Sequence, residues 1–227
     1  MFQSFFKVAV RNILRQSSYA MINILGLSIG IACSILITLF ILHETSYDKF
    51  HENADRIVRI WVNGRLADSE ISSAHTALPS GPVFLDEIPE VINYCRIDIW
   101  NNVPVRKGEQ TLLEDDFFWA DSGFFEIFSF PLIKGDPSKV LTEPRSMVIS
   151  EKMARKYFGD EDPMGKVIRM FSDTTAYTVT GVMKDLPENS HIFCNFVIDF
   201  QSLRRSNATQ WTSNNIYTYL LLEKPMA

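Results

Sequence analysis

Residues 19–42 read YAMINILGLSIGIACSILITLFIL, and this stretch decides how the rest of the chain is read. It carries no charged residue, and Asn23 is its only strongly polar side chain. A helix rises about 1.5 Å per residue, so the run spans roughly 36 Å. That exceeds the roughly 30 Å hydrocarbon core of a bilayer and allows some tilt. A buried helix of a water-soluble protein would show a polar stripe, and none is present. Two processing signals fit less well. A secretory signal has an apolar core of about 7–15 residues and a small-residue cleavage site. Here the core is longer, and HETSYD, which follows it, offers no A-x-A pattern. A lipoprotein signal would close a short run with a Cys. Cys33 follows Ala32, but Gly30 stands where a Leu-like residue is usual, and the run continues to Leu42. The stretch is read as a transmembrane helix.

The flanks orient it. Lys7, Arg11 and Arg15 precede the run without an acidic residue. Residues 43–227 hold 19 basic against 27 acidic side chains. Short basic flanks stay cytoplasmic, so residues 1–18 are expected inside and residues 43–227 across the membrane, which in a bacterium with two membranes means an inner-membrane protein with this part in the periplasm. Lys7, Arg11 and Arg15 recur every four residues and share one helical face, while Phe2, Phe6, Ala9 and Ile13 form another. Residues 1–18 are therefore expected to lie in the interface as an amphipathic helix, with basic groups near lipid phosphates. Within the span, Gly26 and Gly30 form a GxxxG pair that Ser34 continues. Small residues four apart let another helix backbone approach closely, so these three are the candidate packing contacts.

The 227-residue chain is 46% hydrophobic and 22% charged, which excludes collagen-like, low-complexity and disulfide-scaffold classes. Its net charge of -5 argues against a nucleic-acid partner. Beyond the span, punctuated elements follow. A β-like run begins over 57–62, and a short helix is expected over 80–92, interrupted at Pro89. SMVIS (146–150) reads as a strand. Ser150 then caps a helix through EKMARKYF, with Gly159 at its C′ position. Strands are expected over 167–171 and 177–182 around the polar turn 172–175, and again over 192–198 and 216–222. Strands and helices interleave without a βαβ period, so the fold class is an α+β extracytoplasmic domain on a single N-terminal transmembrane helix.

Chemistry is sparse. GDEDPMGKV (159–167) has five residues between its glycines and Val167 in place of the hydroxyl of a phosphate loop, and three acidic residues would repel phosphate. His43, His51, His75 and His191 show no tight metal-ligand spacing. No Gly-x-Ser-x-Gly elbow or activated Cys motif is present. No metal, no cofactor and no enzymatic activity are expected. Cys95 and Cys194 would share an oxidising compartment, where pairing is allowed but free buried thiols are equally in keeping. Trp61, Trp100, Trp119 and Trp211 are spread through the outer part. Core filling explains them first, and a hydrophobic groove for an amphipathic cargo is the alternative.

Several stretches carry a family resemblance. KVAVRNILRQSSYAMINILGLSIGIACSILITLFILHETSYDKFHENADRIVRI (7–60) resembles the N-terminal part of MacB/FtsX-type ABC transporter permeases, in the form common in Bacteroidetes. ADSGFFEIFSFPLIKGDP (120–137), SMVISEKMARKYFGDEDPMGKVI (146–168), YTVTGVMKDLPENSH (177–191) and YTYLLLEK (217–224) are similar to the MacB-like periplasmic core domain. The resemblance implies a permease that performs no chemistry itself. A separate cytoplasmic ABC ATPase would bind and hydrolyse ATP. Other permease transmembrane helices, or a second permease copy, would complete the bundle among the membrane lipids. Motion would pass to the periplasmic domain for export or mechanotransmission. Such permeases carry further spans, whereas here no second apolar run follows Leu42 and IYTYLLL (216–222) is too short to cross. The chain is thus expected to be the first span plus an incomplete core domain: residues 1–18 interfacial, 19–42 transmembrane, 43–227 periplasmic. A single-span periplasmic sensor or binding module is the alternative function.

Overall fold

The computed structural model describes residue 11 and residues 15–66, 69–171, 175–187 and 189–225. The chain divides into two units, Met1–Tyr47 and Asp48–Ala227.

The first unit is dominated by one helix, α1 (Ser17–Glu44), of 28 residues. It outlasts the apolar run at both ends, because backbone hydrogen bonding continues past the last lipid-compatible side chain. None of its residues is buried. It is the one helix among the described residues long and apolar enough to cross a membrane. Its hydroxyls turn inward on the backbone: Ser34 Oγ donates to the Gly30 carbonyl at 2.9 Å and Thr38 Oγ1 to that of Ser34 at 2.8 Å. Such back-bonding satisfies a hydroxyl where no water can. Thr45 Oγ1 donates to the Ile41 carbonyl at 2.8 Å, beside the Thr45 amide that bonds the same oxygen at 2.9 Å.

The second unit is built on a mixed sheet. Its strands are β1 (Ile57–Arg59), β2 (Val62–Leu66), β3 (Ser69–Ser73), β4 (His75–Ala77), β5 (Val91–Trp100), β6 (Val103–Lys107), β7 (Gln110–Glu114) and β8 (Phe117–Ala120). They continue as β9 (Leu132–Lys134), β10 (Ser146–Ser150), β11 (Val167–Met170), β12 (Thr175–Met183), β13 (Phe196–Asp199) and β14 (Asn214–Leu222). Three short helices join them: α2 (Ser80–Glu87), α3 (Phe124–Ile127) and α4 (Glu151–Phe158). The main sheet runs β1-β14-β5-β8-β13-β10-β12-β11-β6-β7, with β4 also on β14 and β9 also on β12. β2 and β3 pair separately as a hairpin. β8 with β13, and β10 with β12, are parallel, and the remaining pairs are antiparallel. With its interleaved helices this is the expected α+β class.

Both faces of the central strands are covered, which explains why FFWA, SMVIS and FVID are almost continuously apolar. Side chains alternate between the faces. Phe117, Trp119, Met147, Ile149, Phe196 and Ile198 enter one core. Phe118, Ala120, Val148 and Val197 enter the other, beneath the phenylalanines of α3 and its following turn. Phe117 and Phe196 are register partners across the parallel pair, and their rings stack 4.1 Å apart.

The strand at 146–150 and its helix form as the sequence requires. Ser150 Oγ accepts from the Met153 amide at 3.3 Å, and Gly159 closes the helix at φ 62°. Elsewhere the boundaries differ. The helix expected over 80–92 stops at Glu87, with Ile88 already extended; a residue before proline is driven out of the helical region. The run 57–62 breaks into β1 and the start of β2. The strand expected over 192–198 starts only at Phe196, because the residues before it make the local contacts described below. Of the polar turn, 172–174 lie outside the described residues. Cys95 and Cys194 are buried, unpaired thiols. Burial pushes the pKa of both upward, so neither is a thiolate.

Candidate functional site

On α1, a Cβ added at Gly26 or Gly30 would meet nothing within 4 Å. Together with Ser34 they line a shallow groove flanked by Asn23 and Thr38. Arg11 and Arg15 are helical and exposed, and Lys7 lies outside the described residues together with most of the expected interfacial helix.

The second unit opens on a dense set of contacts formed by residues 48–59. Asp48 adopts a left-handed backbone (φ 57°), which aspartate tolerates better than most side chains. Its amide donates to the Asn189 carbonyl at 3.0 Å. Its carboxylate accepts from the His191 amide at 3.0 Å and lies 2.7 Å from His191 Nδ1. On the other side of that ring, Nε2 is 3.0 Å from the Tyr219 hydroxyl on β14. Burial works to raise the pKa of Asp48, but the bonds from the His191 backbone and ring outweigh it and hold the carboxyl below its ordinary range.

Three residues on, His51 is buried against the rings of Phe50, Phe128 and Phe130. Its Nδ1 accepts from the Ser129 amide at 3.2 Å, so the neutral ring carries its proton on Nε2. That nitrogen is buried with no hydrogen-bond partner among the described residues. Burial accordingly lowers the pKa of His51. The Glu52 amide donates to Ser129 Oγ at 3.0 Å, and Asn53 Nδ2 donates to the Glu126 carbonyl at 3.2 Å. Arg56 in turn bonds Asn53 Oδ1. The stretches DKFHENADR (48–56), FFEIFSF (124–130) and NSH (189–191), far apart in sequence, thus converge as a clamp at the start of the second unit. A small cavity of about 340 Å³ lies beside it, lined by Asp48, His51, His191 and Tyr219 among others. The other histidines go elsewhere: His75 lies over Tyr217 at 4.5 Å, and His43 meets Tyr47 edge-on at 5.5 Å.

Sequence reasoning singled out the residues of this clamp only as motif letters. Asp48 and His191 are too far apart in sequence for any spacing rule to pair them. The tryptophans divide. Trp61 and Trp211 are half exposed. Trp100 and Trp119 sit 5.5 Å apart between ring centroids and wall a groove of about 910 Å³.

A mixed-sheet unit whose first residues are held by its own α3 and 189–191 turn, preceded in the chain by an unburied apolar helix, fits a membrane-anchored domain protein. The profile of the MacB-like periplasmic core domain matches residues 20–225, and the chain belongs to that family. Among solved structures it is similar to a domain assigned as a permease protein from Porphyromonas gingivalis, with TM-score 0.67 and 23% identity over 79% of this chain and 78% of that one. It is also similar to the periplasmic region of MacB from Actinobacillus actinomycetemcomitans, with TM-score 0.56 and 13% identity over 77% and 78% of the two chains. No curated protein matches the chain. At these identities the solved neighbours establish the fold. Family membership supports a permease-related role, and the Porphyromonas gingivalis neighbour is assigned as a permease protein.

Proposed function

We propose that the chain is a permease component of an ABC transporter that couples ATP hydrolysis by a cytoplasmic partner to movement of its outer unit. α1 crosses the inner membrane once, with Lys7, Arg11 and Arg15 held at the cytoplasmic face by the charge rule and by lipid phosphates. Residues 43–227 lie in the periplasm. Gly26, Gly30 and Ser34 form the face on which a neighbouring permease helix, from the same complex or a second copy, packs closely. ATP belongs to the partner ATPase, and no nucleotide-binding loop is needed here. When that partner closes, the bundle tilts, and the displacement leaves α1 through residues 45–47 into the clamp, which serves export or mechanotransmission.

The clamp is the observation that carries this reading. Within the second unit, Asp48, His51 and Asn53 are joined to α3 and its following turn and to the 189–191 turn, and His191 in turn to Tyr219 of β14, by directed hydrogen bonds, an ion pair and ring packing. A flexible tether would suffice to anchor a receptor, whereas force transmission needs a stiff joint. The test is affinity purification of the complete gene product from native membranes into lipid nanodiscs. An ABC ATPase is expected to co-purify. Its absence, under conditions in which a known ABC complex from the same membranes stays intact, overturns the proposal.

A further inference from the structure

The groove walled by Trp100 and Trp119 is built unlike the rest of the surface. Phe171 closes one side, with its ring centroid 5.7 Å from Trp100, and Tyr177 lies 5.8 Å from Trp119. Trp119 is buried, and its Nε1 has no hydrogen-bond partner among the described residues. Asp98, itself buried, accepts from Trp100 Nε1 at 3.0 Å and from Arg205 Nη2 at 2.6 Å, so one carboxylate fixes both an aromatic wall and a rim guanidinium. Two further arginines, Arg145 and Arg204, line the same rim, and neither forms an ion pair among the described residues. Among the described residues no acidic side chain lines the groove.

Backbone geometry adds an independent sign. Non-glycine residues at positive φ are uncommon. Two of the five among the described residues, Arg145 and Phe171 at 61° each, line this groove. Arg145 is held there by its neighbours: its amide donates to Ser202 Oγ at 2.7 Å and its carbonyl accepts from the Thr178 amide at 2.9 Å. Strained residues kept in place by surrounding structure cluster at ligand clamps.

We infer that this groove is a binding site for a small amphipathic anion, its apolar body lying against Trp100, Phe171 and Tyr177 and its carboxylate or phosphate taken by Arg145 and Arg204. Aromatic faces offer large apolar area with little entropy to lose. Guanidinium forks match carboxylate and phosphate oxygens. A cationic ligand would meet the charges of Arg145 and Arg204, Arg205 being paired with Asp98, and a neutral apolar one would leave those two guanidiniums without an anion. The site belongs to the outer unit and stands whether or not the chain works with an ATPase.

The test uses the full chain in nanodiscs of zwitterionic lipid. The probes are 6-bromo-2-naphthoate and its neutral counterpart 6-bromo-2-naphthalenemethanol, with tryptophan quenching by the heavy atom as the readout. Saturable quenching by the carboxylate is expected, with affinity about tenfold above that of the alcohol, the difference a charge-assisted contact makes. Arg145→Asn combined with Arg204→Gln should abolish that preference and leave the alcohol's affinity unchanged. Asn is chosen because it accepts a positive φ. Trp100→Leu should weaken both probes, with an unchanged unfolding midpoint showing that the domain is intact. Equal affinity for the two probes, a preference that survives the double arginine variant, or quenching that does not saturate overturns the inference.

Discussion

α1 and α4 are both regular helices, yet they are stable for opposite reasons. α4 has eight residues, a serine cap, a Glu151–Arg155 pair at 2.5 Å and a buried side carrying Met153 and Ala154. Its sequence alternates character with the helical period because one side meets protein and the other water. α1 is more than three times longer and buries nothing. Its uniform apolarity meets no buried partner among the described residues, as a surface that faces lipid would. Periodicity reports that two environments exist, and its absence in a long apolar run reports that there is one.

That contrast can be broken most severely on the outer unit. Arg96 on β5 is buried, and its Nε and Nη2 bond Asp121 at 2.9 Å each, with Phe200 beneath the guanidinium at 4.2 Å. Asp121→Ala strands that charge and should destabilise the outer unit by about 3–5 kcal/mol. Urea unfolding of the full chain in nanodiscs, followed by near-UV circular dichroism, measures it. A loss below about 1 kcal/mol, the worth of an exposed pair, would show that the arginine finds water instead.

A smaller effect is expected from acid. The folded-state pKa of His51 is lowered by burial, so the unfolded chain binds a proton that the folded one resists. Its contribution to stability is complete above the ordinary histidine value of about 6.5 and is lost as pH falls from there through the depressed value. Asp48 has the same sign, but its loss begins only below about pH 4. Unfolding midpoints should therefore drop between pH 7 and pH 5, and His51→Phe should flatten that slope while removing the bond to Ser129. An unchanged slope in this variant would place the sensitivity elsewhere.

The smallest effect on the fold is expected from Gly30→Leu. A Cβ at this position meets nothing within 4 Å among the described residues, so the second unit should unfold within about 0.5 kcal/mol of the parent. Recovery of partner helices in native-membrane purification should nevertheless fall. Normal recovery would show that the Gly26–Gly30–Ser34 face is not where α1 packs.

How much of this was legible depended on how local the cause was. SMVIS and the helix after it could be read because Ser150, the alternation and Gly159 act within a few residues of each other. β5, VINYCRIDIW, could not. Arg96 and Asp98 look like solvent-facing residues, but both are buried and are satisfied by Asp121 and Arg205 from distant segments. β6 and β7 were hidden by their charges, although Gly108 at φ 60° marks the turn between them. The first half of the strand expected over 192–198 is drawn out of the sheet, as the His191 amide bonds Asp48 and the Ile192 amide bonds Ser190 Oγ. Gly26, Gly30 and Ser34 were readable as a small-residue pattern, and their packing role is the proposal made above. The groove was visible only as tryptophans without an address.

β14 has one more consequence. It fills the space between β1 and β5, with Leu221 opposite Ile57 and Tyr217 opposite Ile97. Those partners are synthesised long before it. If the polypeptide emerges amino end first, the exposed edge of β5 must wait for almost the whole domain to be made before it is covered. Pairing of such distant segments is slow, and an open edge invites the wrong neighbour. Pairing at this edge is therefore expected to be late, with residues 214–222 covering β5 and β1 in one step.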